Sequence, residues 1–336
     1  MKDARLLVQA LREPASVAGL PERHWTALIS VARAESLVGS LAYRLEGIAL
    51  PAKVERILED ARSDAGQARQ QALWEAEMAR RALTPLGVPV ILLKGTAYAA
   101  AGLSAGVGRS IGDLDILVPR ESLDAVEEAL LRAGWEWVKE DSYDDLYYRR
   151  WMHELPPLIH RERDRMIDVH HTILPLTHRR RPDAAAMVAD SVLLENGLRV
   201  LSPSDMVVHS VAHLFADGDL AGGLRNLWDI DRMLRGFKRE ADFWTRLRQR
   251  AELHQLVPEV RRALRLTSAL YGTPDEPGIL RRPRASDRLF ERRLLARNGW
   301  GQGIRKPLRL AFYIRSHWLR MPPLMLARHL WTKARH

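Results

Sequence analysis

VILLKGTAYAAAGLSAGVGRSIGDLDILVP, residues 90–119, decides how this chain is read. Apolar runs at 88–93 and 116–118 flank a loop-rich middle that holds Lys94, Gly95, Thr96, Arg109 and the pair Asp113 and Asp115. The pattern predicts a strand, a glycine turn, a short helix and a second strand carrying acids. Strand side chains alternate between faces, so Asp113 and Asp115 are expected on one side, with Leu114, Ile116 and Val118 on the other. Two carboxylates so placed repel unless a cation sits between them, and oxygen ligands at this spacing suit Mg²⁺, which keeps waters and phosphates as its other ligands. Gly95 is expected to give a turn of positive φ where a phosphate meets backbone amides, with the Thr96 hydroxyl as a further donor. Arg109 offers a bidentate phosphate contact.

Each of these signals is weak when taken singly. A third acid strengthens them: Asp168, within the β-like run Met166-Ile167-Asp168-Val169-His170. A two-metal phosphoryl-transfer centre needs two carboxylates that bridge the ions and a third that holds the metal activating the attacking hydroxyl.

Gly95-Thr96, Asp113-x-Asp115 and a distal strand acid together resemble the catalytic pattern of the DNA polymerase β-like nucleotidyltransferase superfamily. More narrowly, LLKGTA (92–97), RSIGDLDILV (109–118) and IDVHHTI (167–173) resemble the bacterial uncharacterised nucleotidyltransferase family within it. Sixteen residues separate Thr96 from Asp113, longer than the superfamily's usual gap but normal for this subfamily. The resemblance implies two Mg²⁺ ions and an NTP donor. Asp113, Asp115 and Asp168 would be the catalytic, metal-binding acids; Gly95 and Thr96 would cradle the β- and γ-phosphates, and Lys94 or Arg109 would balance the leaving pyrophosphate. Asp115→Ala is then expected to abolish turnover with the fold intact.

The fold expected is α+β: a small mixed sheet with helices on one face, flanked by N- and C-terminal helical regions. Residues 1–84 read as three or four packed helices, 85–200 as the nucleotidyltransferase core, 201–271 as a helical region facing the site, and 272–336 as a linker with a basic amphipathic tail. Trp25, Leu28, Ile29 and Ala32 show the helical period that supports the first assignment. Residues 135–138, 146–151, 157–161 and 166–171 are strand candidates. Ser202-Pro203-Ser204-Asp205 is a helix start. His170 shares the Asp168 face, where it would bond a phosphate or orient an acid; His153 and His160 read as ordinary strand residues. His209 and His213 lie four apart on one helical face, a spacing that can hold zinc, but the metalloprotease glutamate is missing and packing roles are preferred. Arg225 and Asp229 are placed for an intrahelical ion pair.

The chain has 336 residues, no cysteine and a net charge of +10. Disulfides and thiolate zinc sites are therefore excluded, and a cytoplasmic protein is expected, since neither a signal-like apolar segment nor a membrane-length run is found. No acid follows Glu291, whereas eleven Lys and Arg do, so the residues before it balance to about −1 once those eleven are subtracted from +10. The basic character belongs to the tail. Packing against the body, docking to an anionic membrane or a partner protein, and RNA binding are its candidate roles, in that order. Two rivals stand beside the main assignment: a toxin-like nucleotidyltransferase acting on tRNA, and an inactive scaffold docked by its tail to a membrane-associated biosynthetic complex.

Overall fold

The computed structural model describes residues 4–139, 148–274 and 284–320. Four helices lead into the sheet: α1 (Arg5–Arg12), α2 (Glu22–Ala34), α3 (Val38–Arg44) and α4 (Ala52–Leu83). Pro21 and Pro51 stand immediately before α2 and α4, where a missing N–H breaks no helical hydrogen bond. Along the 32 residues of α4, Val54, Leu58, Ala61, Ala65, Ala72, Ala76, Ala79 and Leu83 form one buried stripe at helical spacing. Its alanines let the helix lie close to its neighbours. Glu75 on the same helix is buried and takes both Arg163 donors, at 2.8 and 3.0 Å.

The sheet has seven strands in the order β3-β4-β5-β2-β1-β7-β6. In the chain they are β1 (Ile91–Leu92), β2 (Leu114–Leu117), β3 (Trp135–Trp137), β4 (Leu158–His160), β5 (Met166–His170), β6 (Val192–Leu193) and β7 (Arg199–Val200). Strand β2 runs antiparallel to β1 and parallel to β5, with Asp115 opposite Asp168. All four of its residues are buried, so both faces at the centre of the sheet are covered. The expectation of helices on one face is corrected accordingly.

Two further expectations change. Residues 148–151 are helical where a strand over 146–151 was expected, and 146–147 lie outside the described residues. The sequence reading also passed over the β6–β7 hairpin, which extends the sheet through a parallel pairing of β7 with β1. Its signal was Asn196-Gly197 between short apolar pairs: Gly197 has φ +78°, and the Asn196 side chain accepts the Leu198 N–H at 3.1 Å.

The remaining helices are α5 (Lys94–Ala100), α6 (Leu123–Arg132), α7 (Ala184–Ala189), α8 (Pro203–Ala212), α9 (Gly223–Phe237), α10 (Phe243–Leu253), α11 (Val257–Tyr271), α12 (Ala285–Leu294) and α13 (Lys306–Arg320). The expected start of α8 is capped by Ser202, whose hydroxyl accepts the Asp205 N–H. One apolar cluster draws on all four sequence regions, from Leu7 and Leu28 through Ile116 and Val169 to Val208, Leu266 and Phe312. The described part of the basic tail packs on the body: Phe312 meets the Phe290 ring at 4.9 Å, and Arg315 donates to the Phe215 carbonyl at 2.7 Å. Pro322-Pro323 and the rest of the tail lie outside the described residues. Among the described residues no helix is long and apolar enough to cross a membrane.

Candidate active site

Parallel pairing of β2 with β5 puts Asp115 and Asp168 side by side, and Asp113 sits one residue before β2. Carboxylate oxygens of Asp113, Asp115 and Asp168 all lie within 4.8 Å of one another. Burial grades across the three: Asp115 is 2% exposed, Asp168 half-buried and Asp113 exposed. The cluster thus opens to solvent on the Asp113 side.

Lys94, the first residue of α5, sends its ammonium to Asp115 Oδ1. It carries φ +48°, a left-handed backbone that a side chain makes costly by about 1 kcal/mol and that tends to be kept where function needs it. Burial acts to strip the Lys94 proton, but Asp115, Asp113 and Asp168 outweigh it and hold the amine charged above its ordinary range. Burial also opposes the Asp115 charge, and here Lys94 and His170 prevail, keeping that carboxyl well below the usual range. For Asp168 the balance is reversed: burial, then the charges of Asp115 and Glu154, push it up to about 6. Three carboxylates thus gather around one charged Lys94 side chain.

His170 Nε2 lies 3.0 Å from the same Asp115 oxygen, and its Nδ1 lies 3.3 Å from Glu154 Oε2. His170 thus stands within hydrogen-bonding distance of Asp115 and beside Glu154. Sequence reasoning missed Glu154, which no spacing marks. It reaches His170 through an isolated bridge from an irregular segment. His153, expected to be an ordinary strand residue, stacks on the His170 ring at 5.2 Å. His153, Glu154 and His170 form a second group with ligand atoms within 4.8 Å. His209 is buried and pushed well below its ordinary pKa by burial and then Lys94. Among the described residues neither His209 nor His213 belongs to a group able to hold a metal ion.

The structure places the remaining expected residues differently. Positive φ falls on Lys94 and not on Gly95, and both Gly95 and Thr96 are buried inside α5. Gly95 is needed for another reason, because Arg109 lies across it: an added Cβ would meet Arg109 Cδ at 3.0 Å and Ile111 Cγ1 at 3.2 Å. Arg109 is bound to Asp229 in a largely buried ion pair, with Tyr98 at 5.7 Å, and does not join the acids. Gly95→Ala is expected to destabilise the fold by about 1–3 kcal/mol through this overpacking. Chemical denaturation checks it; an unchanged midpoint would show that Arg109 moves aside freely.

Hard oxygen donors in threes, one exposed and two progressively buried, fit a divalent cation such as Mg²⁺. The three acids make a site that can hold such an ion, and Lys94 can bring positive charge to a polyphosphate beside it.

A solved structure of an antigenic nucleotidyltransferase-like protein from Paracoccidioides brasiliensis is similar at 14% identity and a TM-score of 0.32, over 61% of this chain and 97% of that one. No curated protein matches the chain. The sequence profile described as uncharacterised nucleotidyltransferase matches residues 21–272, from α2 to the end of α11 and across every strand. With most of its length inside that profile, the chain belongs to the uncharacterised nucleotidyltransferase family, and its general reaction class is nucleotidyl transfer.

Proposed function

We propose that the protein transfers a nucleoside monophosphate from an NTP to an acceptor hydroxyl in a Mg²⁺-dependent reaction. The acceptor oxygen bonds to the α-phosphorus, the bond from that phosphorus to the bridging oxygen breaks, pyrophosphate leaves, and the hydroxyl proton passes to solvent or a nearby base. One observation supports this reading above the others: carboxylates from Asp115 and Asp168 on two parallel strands, and from Asp113 just before the first of them, converge within 4.8 Å.

In this reading the three acids would hold two Mg²⁺ ions. The ions, when bound, would acidify the acceptor hydroxyl and neutralise the developing phosphate charge. Lys94 supplies fixed positive charge at the donor's phosphates, the kind of preorganised electrostatics on which phosphoryl transfer depends. His170, set by Glu154, orients the Asp115 carboxylate. Gly95 and Thr96 follow Lys94 in the buried start of α5, and Arg109, held by Asp229, braces the loop that leads to Asp113.

The test is incubation of the full chain with each α-labelled NTP, Mg²⁺ and cell extract. Asp113→Ala is the control, because this exposed residue can be replaced without opening the core. Label should pass to an acceptor with the unaltered protein and be lost both with a chelator and in the variant. Equal labelling by Asp113→Ala would overturn the assignment. The class of molecule labelled separates a tRNA-modifying enzyme from one acting on a small molecule, and absence of label with every NTP favours the inactive scaffold.

A further inference from the structure

Past the carboxyl ends of β2 and β5 lies a second concavity of about 210 Å³. Because these strands are parallel, Arg120 after β2 and His171 with Thr172 after β5 arrive at the same end of the sheet. Arg180 and Arg181 complete the wall, and Leu174 adds an apolar surface.

No lining residue is acidic. Among the described residues Arg180 is the only one of the three arginines with a carboxylate partner, Glu259 Oε1 at 3.6 Å. Asp183, just beyond the lining, turns its carboxylate to the Ala186 N–H at 2.8 Å. Three arginines line one small cavity and only one of them is offset by a carboxylate, so an anion held there would relieve their mutual repulsion. Guanidinium donors match phosphate oxygens in pairs, which an ammonium does not do. The cavity is below the ~300 Å³ of ordinary small-molecule pockets, so it suits a phosphate on a short carrier rather than a nucleoside. Three residues of strand, roughly 10 Å at ~3.3 Å each, separate Asp168 from His171.

We infer that this pocket binds the phosphate group of a small phosphorylated ligand at a site separate from the carboxylate cluster. The inference does not depend on the proposed reaction, because its test needs neither NTP nor Mg²⁺. Calorimetric titration of the full chain with inorganic phosphate and with ribose 5-phosphate, in chelator at constant ionic strength, should show binding, and ribose and succinate should bind far less. The paired substitutions Arg120→Gln and Arg181→Gln, both at exposed positions, should weaken binding by at least about tenfold. Asp113→Ala should leave it unchanged. In the unaltered protein, inorganic phosphate should slow phenylglyoxal modification of Arg120 and Arg181, a readout that holds whether or not the double variant folds. No binding at about 10 mM of either phosphate compound, binding that survives both substitutions, succinate held as tightly, or unslowed modification would each overturn the inference.

Discussion

Asp168→Asn should stabilise the protein near neutral pH and, in the same preparation, cut nucleotidyl transfer at least about a thousandfold, or ~4 kcal/mol of barrier. Burial first, then the charges of Asp115 and Glu154, push the Asp168 carboxyl from its ordinary 3.8 up to about 6. The folded protein therefore holds this proton more tightly than the unfolded chain does. The stability that results is complete below about pH 4 and is lost as pH rises through 6. At neutral pH the ionised group burdens the fold by about 2–3 kcal/mol. Asparagine keeps the shape and place of Asp168 opposite Asp115 while removing the charge.

Thermal unfolding across pH checks the first half of this expectation: the advantage of the variant should shrink to nothing as pH approaches 4. Added Mg²⁺ should raise the midpoint of the unaltered protein and leave that of the variant nearly unmoved. An acid that costs stability yet is needed for turnover is what a cation-binding cluster requires. A variant that is less stable at neutral pH and still transfers nucleotide would refute both assignments. Asp115→Ala is a poorer probe than the motif suggests, because Asp115 is 2% exposed and carries both Lys94 and His170. Its removal takes from the half-buried Lys94 ammonium the carboxylate it bonds and empties a buried position in the central strand, so the fold is expected to weaken along with turnover.

The carboxylates of the candidate site were legible in the sequence where they lie in local spacing. Asp113-x-Asp115 beside apolar residues gave a strand end, and the run around Asp168 gave a second strand. Their parallel register, which makes a cluster of them, is a pairing between distant segments that local alternation cannot specify. Glu154 escaped notice for the same reason, since only the tertiary fold carries an irregular segment to His170. Gly95 was assigned the wrong physical cause. A glycine before a helix suggests a positive φ, but here the demand comes from a side chain fourteen positions away, Arg109, lying across it. The helical regions were readable from their period and their prolines, whereas strands of two residues, such as β6 and β7, leave almost no periodicity to find.

Asp229→Ala is expected to destabilise the fold by about 3–5 kcal/mol, because it breaks a buried ion network by removing its single acid. Asp229 is 1% exposed and bonds Arg109 through Oδ2 and Arg225 through Oδ1. Arg225 also donates to Ser40 Oγ at 2.8 Å, so one carboxylate ties helix α9 to α3 and to the loop before β2. Burial, and then the charge of Arg109, already lower the proton affinity of Arg225, with Asp229 opposing them. Without that acid two guanidiniums would face each other away from water. Combining Asp229→Ala with Arg109→Met should recover part of the loss, since one of the two stranded charges goes with it. Such non-additivity is the signature of a shared network and not of two separate contacts. Arg109 precedes Asp113 by four residues, so loosening it should also displace the exposed acid and raise the Mg²⁺ concentration needed for half-maximal transfer. Urea midpoints for the two single variants and the double one measure the coupling. Strictly additive losses, or an Asp229→Ala midpoint equal to that of the unaltered protein, would show that helix α9 is held to the site by apolar packing alone.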